Sequence, residues 1–133
     1  MFLFDTDTLS QVLKRTPSSS LLVRLAAVPP EQQFTSAITV GEMAYGAYRS
    51  SSPEPLLRRL EEQLWSNVRI LPFDRPAAET YGQLRAELER AGKPLSEPDL
   101  RIASIALTHG LTVVTGNVRH FARVPGLRVE SWL

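Results

Sequence analysis

The 133-residue chain has no cysteine and only two histidines, His109 and His120. Without thiols, the chain forms no disulfide bond and offers no thiolate to a metal ion. Any metal that it binds must therefore be held by oxygen atoms or by a histidine nitrogen. These donors, mostly oxygen, favour hard cations.

Long apolar runs are also missing. No uninterrupted apolar stretch approaches the roughly 20 residues that a membrane-spanning helix needs. The N-terminus has no basic stretch, and its apolar residues are too few for the core of a signal peptide. We therefore expect no membrane association and a cytoplasmic location. The net charge of +1 argues neither for nor against a polyanionic partner.

The chain is long enough for one compact domain with a single core, and we expect residues 1–133 to form that domain. Short apolar segments alternate with segments of helical periodicity, and prolines separate them. Strands are predicted at residues 1–4, near Phe34, and at 68–73, 111–117 and 127–132. Helices are predicted at 8–14, 20–28, 39–50, 53–67, 74–92 and 96–110. This alternation predicts a three-layer α/β/α sandwich around a parallel sheet of four or five strands.

Three acidic residues stand where predicted strands end or predicted helices begin. Asp5 directly follows the first strand and so lies near the edge of the sheet. Thr39 is the predicted N-cap of the third helix and forms a capping box with Glu42, three residues later. Asp99 likewise stands three residues after Ser96, the predicted N-cap of the sixth helix. Because the helix dipole favours an acid in the first turn, this spacing leaves structural and catalytic roles open for both helical acids.

The carboxylates of Asp5, Glu42 and Asp99 can converge on one edge of the predicted sheet. Open parallel sheets bind ligands beyond the carboxyl ends of their strands, near the point where strand order reverses. A group of carboxylates suits Mg²⁺ or Mn²⁺, which activate water and neutralise charge when phosphate esters are hydrolysed. The sequence therefore predicts metal-assisted cleavage of a phosphate ester. Asp7 is assigned to capping of the first helix or to support of the site from outside the ligand set.

The string DTDT at residues 5–8 resembles the first motif of the haloacid-dehalogenase-like phosphatases. In that family an apolar strand precedes two acids around one residue, so Asp5 would be the nucleophile and Asp7 a general acid. The family also needs a distant lysine and a further pair of acids after a late strand. This chain has only Lys14 and Lys93, and its late strand is followed by no such pair. A phosphatase that uses Asp5 as nucleophile remains an alternative.

Nearly the whole chain resembles the PIN-domain ribonucleases, specifically the VapC-like toxins of bacterial toxin–antitoxin pairs. FLFDTD is similar to their first strand and first metal-binding acid, and ITVGEMAYGAYRS is similar to the helix with the second acid. Residues 95–132, which begin LSEPDLRIASIA, are similar to their C-terminal block. The resemblance implies a PIN-like fold and a Mg²⁺-dependent endoribonuclease that hydrolyses RNA with a metal-activated water. It also implies a homodimeric toxin that a cognate antitoxin holds inactive.

Carried over by position, the resemblance makes Asp5 and Asp99 ligands of Mg²⁺, with Mn²⁺ as the other candidate ion. Glu42 would complete the site directly or through a bound water. The family often has a fourth acid in the stretch that matches TGNVRHF, where this chain has no carboxylate. Asn117 is expected to orient a water or a phosphate there, with Thr115 in support. The expected catalytic set is therefore Asp5, Glu42, Asp99 and Asn117.

The missing fourth acid leaves another hypothesis open, a degenerate PIN fold that only binds a partner or a nucleic acid. His120 is expected to be a surface residue of a helix and not a metal ligand. Thirteen of the 15 basic residues are arginines, which suit bidentate contact with phosphate. Arg49, Arg101 and Arg119 are candidates for contact with RNA or with the antitoxin, although ordinary solvated arginines explain them as well.

Overall fold

The computed structural model describes all 133 residues, which fold into one five-stranded sheet with helices on both faces. The strands are β1 Phe2–Phe4, β2 Gln33–Ser36, β3 Arg69–Leu71, β4 Thr112–Val114 and β5 Val129–Glu130. All neighbouring strands pair in parallel, in the order β3-β2-β1-β4-β5. The predicted parallel sheet is confirmed, with the larger of the two expected strand numbers.

Seven α-helices connect the strands. They are α1 Thr6–Val12, α2 Ser19–Ala27, α3 Ala37–Arg49, α4 Pro53–Leu60, α5 Arg75–Arg90, α6 Glu97–His109 and α7 Val118–Phe121. A π-helical turn at Glu61–Trp65 continues α4, so the helix predicted at 53–67 changes its hydrogen-bond pattern part of the way along. None of the helices is both long and apolar enough to cross a membrane.

The core consists of two hydrophobic clusters, one on each face of the sheet. Because successive side chains of a strand point to opposite faces, Leu3 lies in one cluster and Phe4 in the other. Ile105 of α6 packs in the first cluster, and Leu9 of α1 packs with Trp132 in the second. Both faces of the sheet are thus covered by apolar side chains, as in other parallel sheets. This arrangement confirms the three-layer sandwich.

The strand order reverses between β1 and β4, at the centre of the sheet. The chain adds β2 and then β3 on one side of β1, and it crosses to the other side for β4 and β5. Phe4 at the end of β1 pairs with Val114 at the end of β4. Asp5 and Thr115 are the next residues after these two strands. They therefore lie where an open parallel sheet forms its ligand-binding crevice.

The first helix begins two residues earlier than the sequence pattern predicts, because Asp5 itself is the N-cap of α1. Its Oδ1 atom accepts a hydrogen bond of 2.9 Å from the backbone N–H of Thr8. The helix can therefore start at Thr6, directly after the strand, without a linker. Asp7 lies exposed in the first turn, so the assignment of Asp7 to the cap is wrong.

The capping box predicted for α3 is also wrong. Ser36, the last residue of β2, is the N-cap, and its hydroxyl accepts a hydrogen bond of 3.1 Å from the backbone N–H of Thr39. Strand and helix adjoin here without a linker, so the capping role falls to the strand residue and Thr39 lies inside the first turn. Glu42 consequently lies in the second turn of α3, where it cannot cap the helix. The orientation of the Glu42 side chain must therefore depend on a contact other than helix capping.

The ends of α6 agree with the prediction. Ser96 is the N-cap, although its side chain makes no capping hydrogen bond, and Asp99 lies in the first turn. Gly110 ends the helix with a φ of 66°, a left-handed conformation that glycine adopts at little cost. Since α6 leads into the start of β4, the beginning of α6 lies toward the opposite, carboxyl edge of the sheet. Asp99 is thereby brought to the same edge as Asp5.

Candidate functional site

Asp5 is a buried carboxylate at the reversal point of the sheet, with 4% of its surface exposed. Its Oδ1 atom accepts the capping hydrogen bond from Thr8, and its Oδ2 atom accepts a hydrogen bond of 2.5 Å from the hydroxyl of Thr115. No arginine or lysine forms an ion pair with it. The carboxylate is therefore fixed in orientation by two donors while its charge is not neutralised by a basic side chain.

Burial raises the pKa of Asp5 from 3.8 to about 6. The hydrogen bonds from Thr115 and Thr8 act in the opposite direction, and the nearby charge of Asp7 adds to the increase. A buried charged group is costly unless it is paired or coordinates a metal. The site thus holds an acid whose ionised form a cation would favour.

Thr115 connects Asp5 to the loop after β4. The Thr115 hydroxyl donates to Asp5, and its oxygen accepts a hydrogen bond of 2.9 Å from the backbone N–H of Asn117. Thr115, which the sequence predicts as a supporting residue, is thus in direct contact with an acid of the site. The side chain of Asn117 is exposed and forms no hydrogen bond within the protein. Its proposed contact with a water or a phosphate stays a prediction.

Glu42 lies exposed on α3 and is bound by Thr6. The Thr6 hydroxyl donates a hydrogen bond of 2.6 Å to Oε1 of Glu42, and the same hydroxyl lies 3.3 Å from that of Thr39. Because Thr6 directly follows Asp5 in the sequence, this contact holds Glu42 against the neighbour of the first acid. The sequence pattern did not identify Thr6, although its place between the two acids of DTDT puts it at the edge of the sheet.

Asp99 is anchored to the carboxyl edge of the sheet by His120. Oδ2 of Asp99 lies 3.0 Å from Nδ1 of His120, and the two side chains are 26% and 28% exposed. His120 lies on α7, as expected, but its ring contacts an acid of the site. The sequence pattern missed this contact because 21 residues separate the partners and no local period relates them.

The three acids are attached to one edge of the sheet but do not form a closed cluster. No three His, Asp or Glu side chains lie close enough together to hold a metal ion between them. The chemistry of the donors nevertheless fits a hard divalent cation, since all three are carboxylates and none is paired with arginine or lysine. The buried, unneutralised charge of Asp5 is the strongest observation for such an ion.

The candidate arginines differ in what they contact. Arg101 forms an ion pair of 3.2 Å with Glu97, and Arg49 lies over the ring of Tyr45 at 5.3 Å from its centroid. Arg119, on α7 beside His120, forms no ion pair. Arg49 and Arg119 are therefore the candidates whose charges no acidic side chain neutralises.

Comparison with known proteins gives matches over nearly the full length. The chain matches the family model of the PIN domain over residues 2–127. It is 38% identical to the tRNA(fMet)-specific endonuclease VapC of Salmonella typhimurium, over 98% of this chain and 97% of that protein. It is 36% identical to Ribonuclease VapC2 of Haemophilus influenzae, over 99% of this chain and 98% of that protein. A crystal structure of DNA-bound VapBC from Salmonella typhimurium is similar with a TM-score of 0.92 and 39% identity, over 99% of this chain and 98% of that chain.

Proposed function

This chain belongs to the PIN-domain family and, within it, to the VapC ribonuclease toxins, and we propose that Asp5, Glu42 and Asp99 form its active site. Mg²⁺ is the proposed cofactor, with Mn²⁺ as an alternative ion. The observation that carries the proposal is the buried carboxylate of Asp5, which lies at the reversal point of the sheet without a basic partner. The reaction is hydrolysis of an RNA phosphodiester bond by water, without a covalent intermediate.

Asp5 and Asp99 would hold the ion, and Glu42 would complete the set directly or through a water. When bound, a divalent cation supplies an activated water and neutralises charge on the phosphate. Thr115 holds Oδ2 of Asp5 and Thr8 holds Oδ1, so the carboxylate keeps one orientation while further lone pairs stay available. These two hydrogen bonds orient the carboxylate of Asp5 before an ion binds. The supporting residues of a catalytic site must orient its ligands in this way.

The outer residues of the site meet the substrate. Glu42 is exposed and held by Thr6, so its carboxylate is accessible from the solvent side of the edge. Asn117 and Arg119 are exposed on the segment after β4 and offer an amide and a positive charge to the solvent. We assign them contact with the phosphate or with a water, through hydrogen bonds and charge.

Membership of the PIN-domain family rejects the phosphatase alternative suggested by DTDT. In this assignment Asp5 is a ligand and not a nucleophile, and Asp7 is an exposed acid of α1. The pattern of two acids around a threonine arises here because one acid ends a strand and caps the helix, and the next acid lies in that helix. The binding-only PIN fold makes a different prediction, namely no RNA cleavage.

Cleavage of RNA by the purified protein tests the active site. The first substrate to use is tRNA(fMet), because it is the substrate named for the Salmonella relative, and elongator tRNA(Met) serves as the comparison. We expect cleavage with Mg²⁺ that EDTA abolishes, and we expect Asp5→Asn to lower the rate by about 100-fold or more, since loss of a residue that only orients a metal ligand already costs about 10- to 100-fold. Asp7→Asn is the matched control, because Asp7 is exposed and forms no hydrogen bond. Equal rates in wild type and Asp5→Asn contradict the proposal, and no cleavage of any RNA by wild type favours a binding-only protein.

The proposed partners are an antitoxin and a second copy of the chain. The Salmonella structure is of a VapBC complex bound to DNA, and we infer that a small antitoxin encoded beside this chain binds it and blocks RNA cleavage. Co-expression of the chain with the product of the adjacent gene tests this, since a stable complex without ribonuclease activity is expected. Light scattering of the chain alone tests the homodimer, and a monomeric mass contradicts it.

A further inference from the structure

An open groove beside α7 is lined by three cationic side chains and by no acid. Its lining residues are Gly92 and Lys93, which follow α5, and Arg119, Ala122 and Arg123, which lie on α7 and the turn after it. All five are exposed, and none of the three cations forms an ion pair. A cleft lined by charges of one sign attracts ligands of the opposite sign. We call this surface the basic groove, and its chemistry selects an anion.

Hydrogen bonds hold the two walls of the basic groove in place. The backbone N–H of Lys93 donates a hydrogen bond of 2.9 Å to the carbonyl oxygen of Leu88, which closes the end of α5 and fixes the start of one wall. From the other wall, Nη1 of Arg123 donates a hydrogen bond of 3.0 Å to the carbonyl oxygen of Pro94 and so joins the two walls. The remaining N–H groups of this guanidinium stay available, and two of them can bind the oxygens of one phosphate.

Both walls of the basic groove lead to Asp99. One wall continues from Lys93 into α6, and the first turn of α6 carries Asp99. On the other wall, Arg119 directly precedes His120, and the ring of His120 lies 3.0 Å from the carboxylate of Asp99. The groove is therefore continuous with the edge of the sheet that carries the proposed active site. Several cations along such a groove match a nucleic-acid strand, which carries a negative charge at every phosphate, better than they match a single small anion.

We propose that the basic groove binds backbone phosphates of the RNA substrate on one side of the bond that is cleaved. This inference rests on the proposed function, and it adds Lys93 and Arg123 to Arg119 as residues that hold the substrate. Phosphate contacts fix the position of a nucleic acid without reading its sequence. The groove is therefore expected to set the affinity for RNA and not the rate of the chemical step.

The double variant Lys93→Gln/Arg123→Gln removes two charges of the basic groove and leaves the residues of the proposed active site in place. Lys14→Gln/Arg58→Gln is the matched control, because it also removes one lysine and one arginine that are exposed and form no ion pair. These two residues belong to α4 and the end of α1, which pack on the other face of the sheet from α5 and α7. Lys93→Gln alone keeps the hydrogen bond between the walls, so a loss in this variant is due to charge. Circular dichroism confirms that all the variants fold.

Binding of fluorescein-labelled tRNA(fMet) in EDTA, where no cleavage is expected, measures the affinity. We expect the Kd of the groove double variant to be about tenfold higher than that of wild type at low salt. The slope of log Kd against log salt concentration is expected to fall by about 0.7 to 0.9 for each phosphate contact that is lost. The control variant is expected to keep the Kd and the slope of wild type. An equal loss in the control and in the groove variant overturns the proposal, because net charge alone would then explain the binding.

Cleavage of the same RNA with Mg²⁺ separates the groove from the active site. In the groove double variant we expect KM to rise with the Kd while kcat stays within about twofold of wild type, since phosphate contacts position the RNA. If Kd and KM are unchanged and cleavage still depends on Asp5, the groove proposal is overturned and the proposed function stands. If wild type cleaves no RNA but loses affinity for it in the groove variant, the proposed function fails and the groove remains an RNA-binding site. A groove variant that keeps its Kd for RNA but no longer binds polyglutamate also overturns the proposal, because the groove would then serve an acidic protein segment.

Discussion

The hydroxyl of Thr115 donates a hydrogen bond of 2.5 Å to Oδ2 of Asp5, across 110 residues of sequence. The two residues follow β1 and β4, the strands between which the order of the sheet reverses. The hydroxyl oxygen of Thr115 also accepts a hydrogen bond from the backbone N–H of Asn117. The orientation of Asp5 therefore depends on the loop that follows β4. The contact joins the first acid of the site to the segment that carries His120.

Removal of this hydroxyl is expected to weaken the site without removing a ligand. Thr115→Val keeps the shape of the side chain, and it deprives Asp5 of the hydrogen bond that most lowers its pKa. We expect the pKa of Asp5 to rise further and kcat/KM for RNA cleavage to fall by about 10-fold, as for other residues that orient a metal ligand. Thr115→Ser is the control because it retains the hydroxyl. Equal rates in the two variants would show that the hydrogen bond does not matter for cleavage.

The burial of Asp5 is expected to cost stability at neutral pH when no metal is bound. Its pKa is 3.8 in the unfolded chain and about 6 in the folded protein. A difference of this size corresponds to at most about 3 kcal/mol. Asn resembles the protonated acid, so Asp5→Asn is expected to unfold at a higher denaturant concentration than wild type at pH 7 in EDTA. The same variant is expected to lose most of its RNA cleavage, so the acid is retained for function and not for stability.

The pH dependence of this effect has a defined sign. Below pH 3.8 the carboxyl is protonated in both states, and its burial costs nothing extra. Between pH 3.8 and about 6 the unfolded chain releases the proton while the folded protein keeps it, so stability falls as pH rises. Above about pH 6 the loss is constant. Urea unfolding of wild type and Asp5→Asn at pH 4 and pH 7 measures it, and a stability difference that is the same at both pH values contradicts the assignment.

The sequence was sufficient to predict the parallel sheet and the place of Asp5 at the end of its first strand, because both depend on local patterns. Alternating apolar and helical segments indicate a parallel sheet, and an acid directly after a strand indicates the edge of the sheet. The N-terminal ends of α1 and α3 are predicted too late in the sequence, because Asp5 and Ser36 each lie at the end of a strand and also cap the next helix. A prediction that assumes a linker between a strand and the next helix places the N-cap of that helix too late in the sequence.

The contacts between acids and their partners could not be predicted from the sequence in the same way. Thr6 binds Glu42 and His120 contacts Asp99, over separations of 36 and 21 residues. Each contact depends on which helices begin at the same edge of the sheet, and hence on the complete strand order. Nothing in the sequence around His120 distinguishes it from an ordinary surface residue. Only the fold distinguishes it from His109.

Two glycines of opposite local geometry provide a test of the fold outside the site. Gly110 has a φ of 66° at the end of α6, where a Cβ atom is strained, whereas Gly82 lies within α5 and a methyl group added there would meet no atom within 4 Å. Gly110→Ala is expected to lower the free energy of unfolding by about 1 kcal/mol. Gly82→Ala is expected to raise it by up to about 1 kcal/mol. Thermal unfolding measures both, and a stabilising Gly110→Ala would contradict the left-handed end of α6.

The hydrogen bond from Thr6 to Glu42 predicts that the two residues act as one unit in cleavage. Glu42 is exposed on α3, so its carboxylate has many orientations unless the Thr6 hydroxyl holds one of them. Thr6→Val and Glu42→Gln are each expected to lower kcat/KM, and the double variant is expected to lose no more than the worse single variant. Residues that share a hydrogen bond show such non-additivity, whereas independent residues add in free energy. Additive losses in this double-mutant cycle would mean that Thr6 supports α1 or α3 and does not orient the second acid.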